Sequence, residues 1–496
     1  MRCGLESARA EIGVASRTMA VRVWFSVALF LMGCTDRRVA ADNSPLKPCV
    51  LSGIPREAEC GSVFVREDAG STKELGLRVA RIPARAKGGE RHALFLLAGG
   101  PGQAATVAFP KLWPVFAALA ETRDIVMIDA RGTGESAALD CPKVDDLAAA
   151  FRAGSLQEAA RNCRPLHASR NLDAYGTDAL ALDLETVRKA LGYGPVDVLG
   201  ISYGTRLALA YAARFPDNVR SLVLDAVAPP ELVLGGSFGR DGEAALDRLF
   251  VECAADASCG KAFPDARANY VKVLERLGRA PETLELRHPD SDAPLHVRVE
   301  RDGLAAIVRS LLYAPELAAL LPMTLSEVEH GNYQGLLQQA AVLSHSADEG
   351  MSLGLLFSVA CAEDIPRLAE TDRVAERATL LGTSIIEDFQ AACALWPVHS
   401  RPLAPLPAVL LVPTLLLSGA LDPVTPPHWA EALRARLPRS LHVVVPEAGH
   451  SVWARGCVPG LVERFIERGH PDGLDTACAA RHQRPAFFID RAGPSP

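Results

Sequence analysis

The sequence lacks the patterns that mark several common classes of protein. It has no Cys-x-x-Cys, so a thioredoxin-like or zinc-ribbon site has little support. It has no long basic run and a formal net charge of −7, which argues against a nucleic-acid partner. A glycine-rich turn at 129–136 is not followed by a lysine in Walker spacing, which argues against nucleotide binding. The 496 residues, 49% of them hydrophobic, otherwise indicate an ordinary globular protein.

The apolar run near the N-terminus is short. Val23–Gly33 spans eleven residues, too few to cross a membrane, and predicts a signal peptide over 1–33 with Met19 as a plausible true start. The run ends in Leu-Met-Gly-Cys, which resembles a lipoprotein cleavage box with Cys34 as the lipidated residue and membrane anchor. A rival cleavage after Ala41 would release a soluble protein.

Ten further cysteines form an even set, as expected of disulfides in an exported chain. Their connectivity is not readable from sequence, and sequential pairing is the arrangement that gives five short loops. Ten buried thiols in a cytosolic protein are the alternative. The cysteines are Cys49, Cys60, Cys141, Cys163, Cys253, Cys259, Cys361, Cys393, Cys457 and Cys478.

The most informative motif is Gly-x-Ser-x-Gly at 200–204, between a predicted strand at 196–199 and a helical segment at 205–215. This order is typical of a nucleophile elbow, where small residues let strand and helix approach each other around a sharply turned serine. Ser202 is therefore the candidate nucleophile. A serine hydroxyl also needs a base and a group that orients the base.

The candidate base and acid follow Ser202 along the chain. His450 comes after a predicted strand at 441–445, and Asp422 comes after one at 414–417. Because the carboxyl ends of parallel strands meet at one edge of a sheet, we expect the three side chains to converge there. Asp225, at the end of another predicted strand, is the alternative acid.

An oxyanion needs donors aimed at it. The backbone N–H of Tyr203 directly follows the nucleophile, and Gly100 lies in a Gly-Gly-Pro-Gly loop after a predicted strand at 94–97. Glycines there let the backbone approach a substrate closely.

Together these motifs resemble the α/β-hydrolase peptidases of the tripeptidyl aminopeptidase and proline iminopeptidase type, from about residue 50 to about 480. The resemblance implies an α/β-hydrolase fold, a Ser202–Asp422–His450 triad, and oxyanion donors at Gly100 and Tyr203. In one departure, Ala98 stands where the family usually has histidine. The matching pieces are Gly99–Gly102, Asp129–Gly134, Gly200–Thr205, Asp422 with Thr425 and Pro426, and Gly449 with His450.

The chain divides into three predicted parts after the signal peptide. Strands alternating with helices indicate a mostly parallel, helix-flanked sheet over 42–235, completed by 401–496. Residues 236–400 are too long for a connection and predict a mainly helical cap over the active site. The predicted cap helices are 242–254, 266–277, 303–312 and 373–395, with a hairpin within 284–299.

These features predict an exported serine hydrolase that cleaves short peptides from the N-terminus and requires no metal or cofactor. Glu363 and Asp364 are candidate partners for the substrate's free α-amino group, because a carboxylate binds ammonium well. A carboxylesterase or lipase with the same triad is the alternative, and an inactive binding protein of the same fold is a remote one.

Overall fold

The computed structural model describes residues 44–86, 92–142, 147–347 and 350–494. The predicted signal peptide and Cys34 lie outside these residues. Among the residues described, no helix is both long enough and apolar enough to span a bilayer. The strands are β1 Leu46–Cys49, β2 Ala58–Arg66, β3 Glu74–Ile82, β4 Ala93–Leu97, β5 Asp124–Ile128, β6 Val196–Ile201, β7 Val219–Asp225, β8 Glu282–Arg287, β9 Pro294–Val299, β10 Thr414–Gly419, β11 Ser440–Val445, β12 Phe488–Asp490 and β13 Gly493–Pro494.

The α-helices alternate with the strands of the main sheet and then dominate the segment before β10. They are α1 Ala105–Ala108, α2 Trp113–Phe116, α3 Leu119–Thr122, α4 Ser155–Cys163, α5 Thr177–Ala190, α6 Tyr203–Arg214, α7 Phe238–Ala255, α8 Ala257–Ala262, α9 Ala266–Arg279, α10 Arg301–Leu311, α11 Pro315–Ala318, α12 Leu321–Glu329, α13 Gln334–Ala347, α14 Leu353–Val359, α15 Glu370–Arg377, α16 Ser384–Cys393, α17 Pro427–Arg434 and α18 Val458–Arg468.

Nine strands form the main sheet, in the order β1-β2-β3-β5-β4-β6-β7-β10-β11. The first three strands are antiparallel to their neighbours, and the six from β5 to β11 run parallel. Helices cover both faces, so most residues of the parallel strands are apolar and buried. In β4, Phe95 packs into the core on one face while Leu94 and Leu96 pack into the core on the other. The predicted α/β-hydrolase architecture is confirmed.

The segment between β7 and β10, residues 226–413, is called the insertion here. It contains α7 to α16 and the β8–β9 hairpin, and most of its helices pack around one hydrophobic cluster, to which Phe151 and Phe487 from outside the insertion also contribute. The predicted hairpin is present. The prediction of one helix over 373–395 is wrong, because the residues between α15 and α16 are not helical. Gly382 lies between them with φ +68°, a left-handed conformation that ends a helical path.

Five disulfides join the ten described cysteines in sequential pairs, which confirms that arrangement among the many that the sequence allowed. Each closes a short loop of 6 to 32 residues, and the set fits a protein that matures in an oxidising compartment. The pairs are Cys49–Cys60, Cys141–Cys163, Cys253–Cys259, Cys361–Cys393 and Cys457–Cys478.

Candidate active site

Ser202 occupies a strained turn between β6 and α6. Its backbone has φ 55° and ψ −123°, a conformation that non-glycine residues rarely adopt. A Cβ at Gly200 would collide with the carbonyl of Gly204, and one at Gly204 would collide with the carbonyl of Leu97. The small residues of the motif therefore allow helix, strand and neighbouring loop to meet behind the serine, as the pattern predicts.

His450 and Asp422 lie together beyond the ends of β11 and β10. His450 Nδ1 is 2.8 Å from Asp422 Oδ2, and the carboxylate is fully buried. This contact leaves Nε2 as the ring nitrogen that can serve a nucleophile. The structure therefore brings the predicted base and the favoured acid into direct contact.

Thr425 holds the carboxylate in place, a role that the sequence analysis did not assign. Its Oγ1 donates to Asp422 Oδ2 at 2.7 Å and lies 3.2 Å from His450 Nδ1. The backbone N–H groups of Val424 and Thr425 both donate to Asp422 Oδ1 at 2.9 Å. These contacts form an Asx-type turn, and the Asp-x-x-Thr spacing is the signal that could have revealed it.

Asp225, the alternative acid, serves a different partner. Its carboxylate accepts hydrogen bonds from Ser451 Oγ at 2.7 Å and from the N–H groups of Val452 and Trp453. It thus fixes the loop that follows His450, and it makes no hydrogen bond to the imidazole within the described residues. Of the two candidate acids, only Asp422 orients the ring.

Asp225 also links the two loops that carry Ser202 and His450. The N–H of Ser202 donates to the carbonyl of Asp225 at 2.9 Å, while the Asp225 carboxylate holds the residues directly after His450. Both side chains also lie at the carboxyl edge of the sheet, beyond β6 and β11. In the part of the chain that the structure describes, no hydrogen bond joins Ser202 Oγ to the imidazole; such contacts commonly tighten only when substrate binds.

The charges of the pair favour its ionised form. Burial alone would lower the pKa of His450, but the Asp422 carboxylate raises that pKa above its ordinary value, and Asp225 adds to the effect. Burial opposes ionisation of Asp422, yet His450 and Thr425 lower its pKa below the usual range. The carboxylate therefore stabilises an imidazolium, which is what a base needs after it takes a proton.

The predicted oxyanion donors lie beside the nucleophile. Tyr203 is the first residue of α6, and N–H groups in a first helical turn have no acceptor within the helix. Gly100 has φ +106° in the loop after β4, and its neighbour Gly99 lies against Ser202, where an added Cβ would be 3.0 Å from Ser202 Cβ. Ala98 helps to line a small cavity of about 20 Å³ behind this loop, space for one water.

Glu363 and Asp364 lie in a buried polar network behind Tyr203. Thr177 donates to both Glu363 oxygens at 2.6 Å, and Thr177 Oγ1 lies 2.7 Å from the Tyr203 hydroxyl. Asp364 is paired with Arg206 at 2.9 Å and with Arg367 at 3.0 Å. Both carboxylates are already bonded and are only 2% and 0% exposed, so neither is open to a substrate ammonium in this arrangement. Binding of an amine by these two residues stays a prediction.

The insertion contacts the catalytic loops directly. The ring centroids of Tyr313 and His450 are 4.9 Å apart, and the His450 N–H donates to the Tyr313 carbonyl at 2.9 Å. On the other side of the site, the Ser352 N–H donates to the carbonyl of Gly102 at 2.9 Å. No sequence motif pointed to Tyr313, because its position depends on how the insertion folds back.

Two protein-family models match parts of this chain. The α/β hydrolase fold matches residues 92–242, and the TAP-like protein family matches residues 378–478. The serine protease Hip1 of Mycobacterium tuberculosis is 28% identical over 90% of this chain and 94% of its own length. The tripeptidyl aminopeptidase of Streptomyces lividans is 26% identical over 86% of this chain and 84% of its own.

Proposed function

We propose that this chain, which has an α/β-hydrolase fold and matches the TAP-like protein family over residues 378–478, is an exported serine peptidase. It removes short N-terminal pieces from peptides through an acyl-enzyme. The names of its relatives support a hydrolase with peptidase activity. The observation that carries the proposal is the buried Asp422–His450 pair at the sheet edge where the strained Ser202 turn also lies.

The proposed reaction follows from these three side chains. His450 takes the proton of Ser202 as its oxygen attacks the substrate carbonyl, and the N–H groups of Gly100 and Tyr203 bind the resulting oxyanion. His450 then gives the proton to the leaving amine, and the C–N bond breaks. Water attacks the acyl-enzyme, again with His450 as base, and releases the acid and free Ser202.

Export is supported by the five disulfides, since such bonds persist in oxidising compartments. Lipidation at Cys34 and release after Ala41 remain the two proposed outcomes of maturation. The insertion is proposed to act as a cap, because Tyr313 packs against the catalytic histidine and Ser352 against the oxyanion loop.

A Ser202→Ala variant tests the nucleophile. We expect loss of labelling by a fluorophosphonate probe and loss of turnover by a factor of at least about 10³, with an unchanged unfolding transition. Ser155→Ala, at an exposed helix start, is the matched control and should react like the wild type. Turnover retained by Ser202→Ala would refute the assignment, and an unlabelled wild type would favour the inactive binding protein.

A substrate panel separates peptidase from esterase. Aminoacyl, dipeptidyl and tripeptidyl anilides, each with a free or a blocked amine, are compared with p-nitrophenyl esters. We expect one free-amine anilide to be preferred over its blocked form by kcat/KM. Turnover of esters alone would favour the carboxylesterase or lipase, and equal turnover of blocked and free peptides would contradict N-terminal specificity.

A further inference from the structure

Arg309, on α10 of the insertion, is held in place by packing. Its guanidinium carbon lies 5.4 Å from the ring centroid of Phe238 and 5.9 Å from that of Tyr313. Its stem passes Gly242, where a Cβ would lie 3.0 Å from Arg309 Cγ. The side chain is half-buried, and its best hydrogen bond is a long one of 3.5 Å to the Tyr313 hydroxyl.

The charge of Arg309 has no carboxylate partner among the described residues. This differs from the buried arginines of the core, which pair with aspartates: Arg123 with Asp197, Arg131 with Asp183 and Arg206 with Asp364. A guanidinium that is partly removed from water without a counter-ion is costly. Such a side chain, held in one orientation by two aromatic rings, can bind an anionic group of a ligand.

Two carboxylates of the same region, those of Asp422 and Asp241, already have other hydrogen-bond partners. Asp422 is bonded to His450 and Thr425. Asp241, on α7, accepts from Ser237 Oγ at 2.8 Å and from Trp429 Nε1 at 3.2 Å. The anion that would neutralise Arg309 is therefore not supplied by either of these neighbours.

Arg309 is close to the base of the proposed reaction. Tyr313 contacts the His450 ring, and the Arg309 guanidinium lies near the same tyrosine ring. The positive charge of Arg309 also acts on the imidazole, whose pKa it lowers slightly against the larger effect of Asp422. Tyr313 thus contacts both the guanidinium and the group that protonates the leaving amine.

We propose that Arg309 binds the free C-terminal carboxylate of the leaving amino acid. This rests on the proposed function, in which His450 delivers its proton to the leaving nitrogen. That nitrogen must lie against His450, and one residue spans at most about 3.6 Å, so the terminal carboxylate must lie close to His450, where Tyr313 and Arg309 also pack. The planar guanidinium matches a carboxylate with two parallel hydrogen bonds. The favoured substrates are short peptides cleaved one residue before their end.

The test uses three substrates with the same acyl part. They are a tripeptide joined to alanine with a free carboxylate, the same peptide with a C-terminal amide, and the tripeptide anilide. If the anilide panel shows a preference for a shorter acyl part, that shorter part replaces the tripeptide in all three. We expect the wild type to prefer the free carboxylate over the amide by about tenfold or more in kcat/KM. No preference would overturn the proposal.

Two variants then assign the preference to Arg309. Arg309→Met keeps a stem of similar bulk and should lower kcat/KM for the free carboxylate on the order of tenfold to a hundredfold, mainly through KM. The amide and the anilide should change less than about threefold. Arg309→Lys keeps the charge but not the planar guanidinium that makes two parallel hydrogen bonds, and should give an intermediate loss of kcat/KM for the free carboxylate. The matched control is Arg248→Met, a solvent-facing arginine on α7 paired with Glu252, which should leave all three unchanged.

The outcomes are distinguishable. An equal loss on all three substrates would make Arg309 a support for the fold or for the charge of His450, and would overturn the proposal. An unchanged ratio of carboxylate to amide would do the same. Absence of cleavage of all three substrates by the wild type would instead contradict the proposed function itself. The anilide rate of each variant also reports that its active site has folded.

Discussion

Two aspartates stand at the ends of neighbouring strands, Asp225 at the end of β7 and Asp422 just beyond β10, and both are buried. Asp422 contacts the His450 imidazole, and the positive charge of the protonated imidazole lowers the pKa of Asp422. Asp225 receives a hydroxyl and backbone N–H groups, which only partly offset its burial, so its pKa is raised. The same residue type at the same edge of the sheet thus serves chemistry in one case and loop position in the other.

Asp422→Asn should produce the largest effect on turnover. An amide in this place cannot stabilise the imidazolium and favours the wrong tautomer, so we expect kcat to fall by about 10⁴-fold. Stopped assays with the preferred anilide measure the loss, and urea unfolding checks that the variant remains folded. A loss below about tenfold would mean that another group orients His450.

Asp225→Asn should affect stability more than chemistry. Its amide cannot accept all the donors of 451–453, so we expect the free energy of unfolding to fall by about 1–3 kcal/mol and kcat by roughly tenfold. The Asp225 charge raises the pKa of His450. Without it, His450 stays neutral to lower pH, and the acidic limb of the kcat/KM profile should move down.

The comparison would be reversed by one result in particular. If Asp225→Asn lost as much turnover as Asp422→Asn without any loss of stability, then Asp225 would be acting on the imidazole directly. Denaturation curves for both variants, recorded beside their pH profiles, separate the two roles.

Glu363→Gln should have the smallest effect on turnover and a clear dependence of stability on pH. Burial raises the pKa of Glu363 to about 7, above its ordinary value of 4.5. A raised pKa favours the folded state at low pH, and this advantage is lost as the pH rises from the unfolded value to the folded one. Glutamine has no such loss, so from pH 4.5 to pH 7 the variant should gain about 3 kcal/mol relative to wild type.

Urea unfolding of both proteins at pH 5 and pH 8 measures this difference. A difference that does not change with pH would show that Glu363 is ionised throughout. Free-amine and N-blocked peptides, assayed with the same variant, test the amine prediction: a selective loss on unblocked peptides would restore it, and equal effects on both would remove it.

The sequence predicted the sheet and the candidate triad because both depend on short-range patterns. Apolar runs such as 94–97 and 414–417 become buried strands, and the residues after them must lie at one edge of a parallel sheet. The five sequential disulfides follow the same logic of short loops.

The environment of the acidic side chains could not be predicted in this way. Glu363 meets Thr177 across 186 residues of sequence, and Asp225 meets Val452 across 227. Such contacts depend on how the insertion folds back and on how distant loops pack. An acidic pair beside a cysteine therefore suggested an open binding site where the structure has a closed network, and nothing singled out Arg309 or Tyr313.

The placement of the disulfides has a consequence for access to the catalytic groups. Two of them, Cys253–Cys259 and Cys361–Cys393, lie wholly inside the insertion, and the other three lie wholly outside it. No covalent bond among the described cysteines joins the two parts across their junction. Each part is cross-linked separately, and the two are joined by non-covalent contacts such as the Tyr313–His450 ring contact and the Arg206–Asp364 ion pair. Movement of the two parts relative to each other would therefore require no disulfide to be broken.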